Sequence, residues 1–309
     1  LKKKAPHIQQ LLEGIQQGKK QALARAITCI ENEQLGFEEL LQSLYFNKIT
    51  PIVGITGPPG AGKSSIIAAL AGHWLSKGCK VAVIAIDPSS PFNKGAIMGD
   101  RVRMSEYFIH PNLFIRSMAS RGSLGGLSPK IFEVADVMKA FGFDYIIIET
   151  VGVGQSEVEI AALADTTILA LVPEAGDDIQ TIKSGVMEIA DIYVLNKSDR
   201  EGADAFYKNL FTLAHTHGTP QWEAPVIKTI ATTAQGIDKL ADAIQKHNTA
   251  MLNTHKKIQL LADKAINLIK EMRIRDIDKN RLFQELQQLA KEQNFNLYQY
   301  VSKYKTNIG

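Results

Sequence analysis

Residues 57–64 read Gly-Pro-Pro-Gly-Ala-Gly-Lys-Ser, which fits the spacing G-x-x-x-x-G-K-[ST]. Glycines at this spacing let backbone N–H groups converge on phosphate oxygens with no Cβ in the way. A helix opening near Lys63 would add the positive end of its dipole. Lys63 would reach the β- and γ-phosphates of a nucleoside triphosphate, and the Ser64 hydroxyl would serve Mg²⁺. The expected contacts are Gly57, Pro58, Pro59, Gly60, Ala61, Gly62, Lys63, Ser64 and Ser65. The run follows the strand-like Pro-Ile-Val-Gly-Ile-Thr and opens a helical pattern, the context this chemistry requires.

A second run specifies the base. Residues 192–199 form a short apolar strand ending in Asn196-Lys197-Ser198-Asp199, the pattern N-K-x-D. Asp199 can accept hydrogen bonds from guanine N1–H and its exocyclic amine, donors that adenine lacks there. Each charge-assisted bond lost costs roughly 1.5–3 kcal/mol. Asn196 is expected to brace the loop, and the Lys197 stem to lie along the base face. After the next strand, the backbone of Ala231 and Thr232 is a candidate donor to guanine O6, although Ile230 stands where a serine is common.

The metal and the reacting phosphate require carboxylates. After the apolar run Tyr145–Ile148 comes Glu149-Thr-Val-Gly152-Val-Gly-Gln-Ser-Glu, a D-x-x-G-like switch with Glu in place of Asp. Glu149 would hold Mg²⁺ directly or through water, and Gly152 would offer its N–H to the γ-phosphate. Val153 cannot position an attacking water as a glutamine would, so slow intrinsic hydrolysis is expected unless another group or a partner supplies that element. Asp87, at a strand end, and Asp100, in the loop beyond, are further candidate metal ligands. Arg101, Arg103 and Arg121 could stabilise transferring phosphate in cis, with surface solvation the better default for each.

The elements that must position these residues follow from hydrophobic pattern. Short apolar runs begin at 52, 81, 113, 145, 167, 192 and 226, with helical stretches between most of them. That alternation predicts an α/β fold, a doubly wound, mainly parallel sheet with helices on both faces. Helical spacing before and after it predicts extensions over 1–48 and 246–309 around a nucleotide-binding core at 49–245. Composition agrees with a globular chain: of 309 residues, 45% are apolar and 22% charged, enough for a sizeable core. The net charge of +3 is far from that of a polycation that coats nucleic acid. No apolar run reaches the length of a membrane span, and Lys2–Lys4 lack an adjacent signal-peptide core. Two cysteines, Cys29 and Cys79, make no disulfide framework and fit a reducing compartment. A cytoplasmic protein that binds neither nucleic acid nor membrane is expected.

Taken together, the phosphate loop, Asp-Pro-Ser-Ser-Pro with Gly-Asp-Arg-Val-Arg-Met, Glu-Thr-Val-Gly-Val-Gly-Gln-Ser-Glu, and N-K-x-D resemble the MeaB/methylmalonic aciduria type A family. Bacterial members also carry the names ArgK and LAO/AO transport system ATPase. The resemblance covers nearly the whole chain. It implies a P-loop GTPase of the SIMIBI class that uses Mg²⁺ and GTP/GDP. It further implies a chaperone of methylmalonyl-CoA mutase, or a related acyl-CoA mutase, that gates adenosylcobalamin loading and protects the enzyme. A homodimer formed by the C-terminal helices is implied as well. So is a third mobile segment, matched by Pro173-Glu-Ala-Gly176-Asp177-Asp178-Ile-Gln-Thr-Ile-Lys183, in which Asp177 and Lys183 would couple partner contact to the nucleotide.

Two other readings use some of the same residues. A nucleotide-dependent kinase or ATPase linked to amino-acid transport would share the phosphate loop, but Asn196 and Asp199 favour guanine. A metallochaperone GTPase would need Cys/His clusters, for which His215 and His217 and the two separated cysteines are a poor supply.

Overall fold

The central apolar run, Ile52–Thr56, is buried along its whole length because both faces of its sheet are covered. The computed structural model describes residues 7–87, 109–119, 128, 130–150, 160–176, 184–216, 222–250, 255–274, 277–289, 296–302 and 304. Among them, seven strands form one sheet: β1 Ile52–Thr56, β2 Val81–Asp87, β3 Leu113–Ala119, β4 Tyr145–Glu149, β5 Thr166–Leu171, β6 Ile192–Leu195 and β7 Val226–Lys228. Their order is β3-β2-β4-β1-β5-β6-β7, and every pairing is parallel. The expected mainly parallel sheet is thus parallel throughout these strands. All strand C-termini consequently share one edge, where α/β sheets place their ligands.

Period-two alternation divides the core between the two faces. On one face Val53, Ile55, Val83 and Ile147 pack with helix α4 (Lys63–Ser76), helix α7 (Ala203–Thr216) and helix α8 (Ile237–Ala250). On the other, Ile52, Ala82, Ile84, Ile146 and Ile148 meet helix α5 (Ile131–Phe141) and three N-terminal helices. These are α1 Ile8–Gln16, α2 Lys20–Glu31 and α3 Phe37–Gln42. Leu23, Ile27 and Ile30 of α2 are fully buried. Their i, i+4, i+7 spacing builds the apolar stripe that closes this face. The segment read from sequence as an N-terminal extension therefore shares a hydrophobic core with the sheet.

The chain divides into two compact units, Leu1–Asn253 and Thr254–Gly309. The second contains α9 His255–Ile274, α10 Lys279–Leu289 and α11 Leu297–Ser302, with a short helix, α6 Ser184–Glu188, belonging to the first. Ile258, Leu261, Ile269 and Met272 of α9 are exposed, although they repeat at helical spacing. Among the described residues, no helix is long and apolar enough to cross a membrane.

Burial of Leu23 predicts that Leu23→Ala lowers stability by about 2–5 kcal/mol, through lost transfer energy and an unfilled cavity. Urea unfolding followed by tryptophan fluorescence checks this, since Trp74 and Trp222 both pack in the sheet's opposite-face core. An unchanged midpoint would mean that α2 is an independent appendage.

Candidate functional site

The phosphate loop leaves β1 and enters α4 through two glycines whose positions are sterically fixed. Gly57 has φ +141°, and a Cβ there would lie 2.1 Å from the Ala170 carbonyl oxygen of β5. Gly62 caps α4 at φ +84°, and its Cβ would stand 2.3 Å from Asn196 Nδ2. Between them, Pro59 and Gly60 are exposed, Pro58 is half-buried and Ala61 is buried. Lys63 and Ser64, the first residues of α4, are buried, and Ser65 is half-buried. The Lys63 ammonium folds back over the loop, donating to the carbonyls of Gly57 at 2.8 Å and Pro58 at 3.2 Å.

Register between neighbouring strands brings the expected metal-binding pair together. β4 lies beside β1 with Glu149 opposite Ile55, two residues before the loop begins. Ser64 Oγ donates to Glu149 Oε1 at 2.7 Å across a sequence separation of 85 residues, and both side chains are buried. Beneath them, Thr150 Oγ1 donates to Thr56 Oγ1 at 3.1 Å, joining the ends of the two strands. A buried hydroxyl and a carboxylate are hard oxygen donors, and this donor set fits Mg²⁺.

On the other side of β1, Asn196 leaves the end of β6. Its Nδ2 donates to the Ala61 carbonyl at 3.0 Å, inside the phosphate loop. Its Oδ1 accepts from Thr229 Oγ1 and from Ala231 N, each at 3.2 Å. The side chain is 2% exposed. It therefore bridges the phosphate loop to the loop after β7, which extends the brace expected from sequence to three segments. Lys197 adopts φ +54°, Ser198 N donates to Thr229 O at 3.1 Å, and Arg200 N donates to Lys197 O at 3.0 Å. Asp199 is exposed within the turn so closed. Because Ala231 N–H is engaged by Asn196, Thr232 becomes the better candidate for a backbone donor to the base.

Several expected site residues lie outside the described residues: Asp100, Gly152, Val153, Asp177, Asp178 and Lys183, together with Arg101, Arg103, Arg121 and His217. The Asp87 backbone closes β2 opposite Ala119, and its side chain is likewise not among those described. His215 sits exposed on α7, where Nε2 lies 2.5 Å from Glu223 Oε1 and Nδ1 is 2.9 Å from Phe211 O. Among the described residues, no group of three or more His, Cys, Asp or Glu is placed to hold a metal ion.

One pair at this edge was not apparent from the sequence. Glu174, in the turn Pro173–Gly176 after β5, accepts a hydrogen bond from Arg200, the residue following N-K-x-D. A charged residue a few positions beyond each of two adjacent apolar strands was the available signal.

A parallel sheet with a glycine-rich phosphate loop after its central strand, and with the remaining candidate loops along the same edge, defines a P-loop NTPase. The profile of the family described as "Methylmalonyl Co-A mutase-associated GTPase MeaB" matches residues 23–286. The chain belongs to this family and is a GTPase. It is 45% identical over 270 residues to a Pyrococcus horikoshii protein provisionally named a GTPase, spanning 85% of this chain and 84% of that one. It is 34% identical over 266 residues to the mouse methylmalonic aciduria type A homolog, mitochondrial, covering 79% of this chain and 64% of the mouse protein. Among solved structures, that of a protein named LAO/AO transport system kinase superposes with TM-score 0.66 at 26% identity, covering 98% of each chain.

The Asn196 bridge yields a direct expectation. Asn196→Ala leaves the Ala61 carbonyl and Ala231 N–H without this partner in a buried setting, which costs roughly 1–3 kcal/mol. A fall in melting temperature together with weaker nucleotide binding is expected from calorimetry. A variant as stable as the wild type would show that the bridge is dispensable.

Proposed function

We propose that the edge of the sheet binds GTP with Mg²⁺ and that hydrolysis there serves an adenosylcobalamin-dependent partner. The observation that carries the site is the 2.7 Å contact between Ser64 and Glu149, joining the phosphate loop to the switch strand. In this reading the backbone N–H groups of Gly57 and of residues 60–65, together with the Lys63 ammonium, hold the phosphates. Lys63 exchanges its two carbonyl contacts for phosphate oxygens, a charge-assisted and stronger interaction. Ser64 and Glu149 hold Mg²⁺, with Asp87 and Asp100 as further ligands directly or through water. The ion neutralises phosphate charge when bound. Gly152 donates to the γ-phosphate, Asp199 reads the guanine edge, Lys197 covers its face, and Thr232, with Ala231 beside it, faces O6.

The partner reading rests on the family to which the chain belongs, described as associated with methylmalonyl-CoA mutase, and on the name of the mouse relative. The chain then acts as a chaperone that gates adenosylcobalamin loading and protects the mutase. Asp177 and Lys183 couple mutase contact to the nucleotide, and Lys183 supplies the positive charge that Val153 cannot. A homodimer through residues 246–309 agrees with the exposed apolar stripe on α9, since such a stripe in water favours a partner surface. The alternative of a nucleotide-dependent kinase linked to transport draws on the name of the structurally similar LAO/AO protein.

Two measurements test these readings. GTP turnover is expected to rise when methylmalonyl-CoA mutase is added, and Lys183→Ala should remove most of that rise while leaving nucleotide affinity in place. A rate indifferent to the mutase would sink the chaperone reading. Separately, ADP should bind at least about ten-fold more weakly than GDP, the consequence of losing one charge-assisted bond at Asp199. Equal affinities would favour the kinase or ATPase alternative.

A further inference from the structure

Asp199 is exposed, so the direction of its carboxylate depends on the turn that carries it. That turn spans residues 197–200, with Asp199 at its third position and the hydrogen bond from Arg200 N to Lys197 O closing it. Its entry is held firmly: Asn196 is locked to two neighbouring loops, and Ser198 N–H is bound to Thr229 O. Lys197 sits in the left-handed region at φ +54°, an uncommon conformation for a residue with a Cβ, and the surrounding contacts must hold it there.

The exit of the turn is Arg200. Its guanidinium donates to Glu174, which stands three residues beyond the end of β5. β5 and β6 are adjacent and in register at Leu171 and Leu195, so the loops that follow them run side by side. Glu174 thus anchors the far end of the base-recognition turn, on the side opposite the Thr229 loop. Both side chains are about half exposed, which makes the pair a modest positioning force with little weight in overall stability. The Arg200 hydrogen bond holds the Glu174 carboxyl below its ordinary range, and the nearby Lys197 ammonium acts in the same direction. The carboxylate is therefore ionised at neutral pH.

We infer that Glu174 is a positioning residue for guanine recognition, acting through Arg200 to hold the 197–200 turn so that Asp199 faces the base edge. This inference rests on the guanine-site reading above. It assigns the loop after β5 a part in base specificity that N-K-x-D by itself does not contain.

The test compares GDP with inosine diphosphate, which keeps N1–H but lacks the exocyclic amine. Competition against a fluorescent GDP analogue gives both affinities for the full chain and for Glu174→Gln, Arg200→Gln, the charge swap Glu174→Arg/Arg200→Glu, and Asp199→Asn. The single neutral variants are expected to raise the Kd for GDP about two- to five-fold, the range an exposed ion pair supports. They should also narrow the preference for GDP over inosine diphosphate, which a general loss of stability would not do. The charge swap should restore both values toward wild type. Unchanged affinity and preference in the single variants, alongside a collapsed preference in Asp199→Asn, would overturn the role of Glu174 alone. If Asp199→Asn itself keeps the wild-type preference, the guanine-site reading fails and this inference with it.

Discussion

One buried amide governs the geometry of the nucleotide edge. Asn196 donates to the phosphate loop through Nδ2 and accepts from the loop after β7 through Oδ1. Only a side chain with both a donor and an acceptor, at this length, meets a carbonyl on one side and two donors on the other. An aspartate would set its oxygen against the Ala61 carbonyl, and a serine would be too short to span the loops. In a low-dielectric setting a fully satisfied network of this kind rigidifies its surroundings. Gly62 is part of the same constraint, because a Cβ at that position would occupy the space of the Asn196 amide. The last glycine of the phosphate motif is therefore required both by its positive φ and by the close approach of the Asn196 side chain.

The parallel sheet makes that amide possible. With β1 between β4 and β5, and β6 beside β5, the strand ends deliver Glu149, the phosphate loop, Glu174 and Asn196 in succession along one edge. Each functional contact joins loops on neighbouring or near-neighbouring strands: Glu149 reaches Ser64, Asn196 reaches Ala61, and Glu174 reaches Arg200. The sheet holds this order because both faces are covered. Helices α4, α7 and α8 close one face, and α1, α2, α3 and α5 close the other. Without the first three helices, the apolar side chains of β1, β2 and β4 on that face would meet water, which costs about 25 cal/mol per Å² of apolar surface exposed.

Much of this was legible before any fold was known. The β1, β4 and β6 boundaries follow from apolar runs bounded by polar or glycine-rich exits, and the structure places them at the expected residues. The phosphate loop was legible because all its ligands are contiguous and its mechanism is local. Other features were not. The N-terminal helices read as an extension because amphipathic spacing reports that a helix has an apolar face without reporting what that face covers. That the N–H of Ala231, a candidate guanine contact, is engaged by Asn196 Oδ1 could not be read from residue types. Glu174 and Arg200 carry no motif of their own.

What the amino-acid sequence determined by itself, then, is which residue types stand within each loop: the glycine-rich run at 57–64, a carboxylate at 149, and the N-K-x-D run ending at Asp199. These depend on residue types a few positions apart, where backbone geometry alone fixes proximity. Tertiary structure decided which loops touch. The Ser64–Glu149 contact spans 85 positions and the Asn196–Ala61 contact 135. Such pairs meet only because parallel crossovers place β4 and β5 on either side of β1, and strand order is a property of the whole packed sheet.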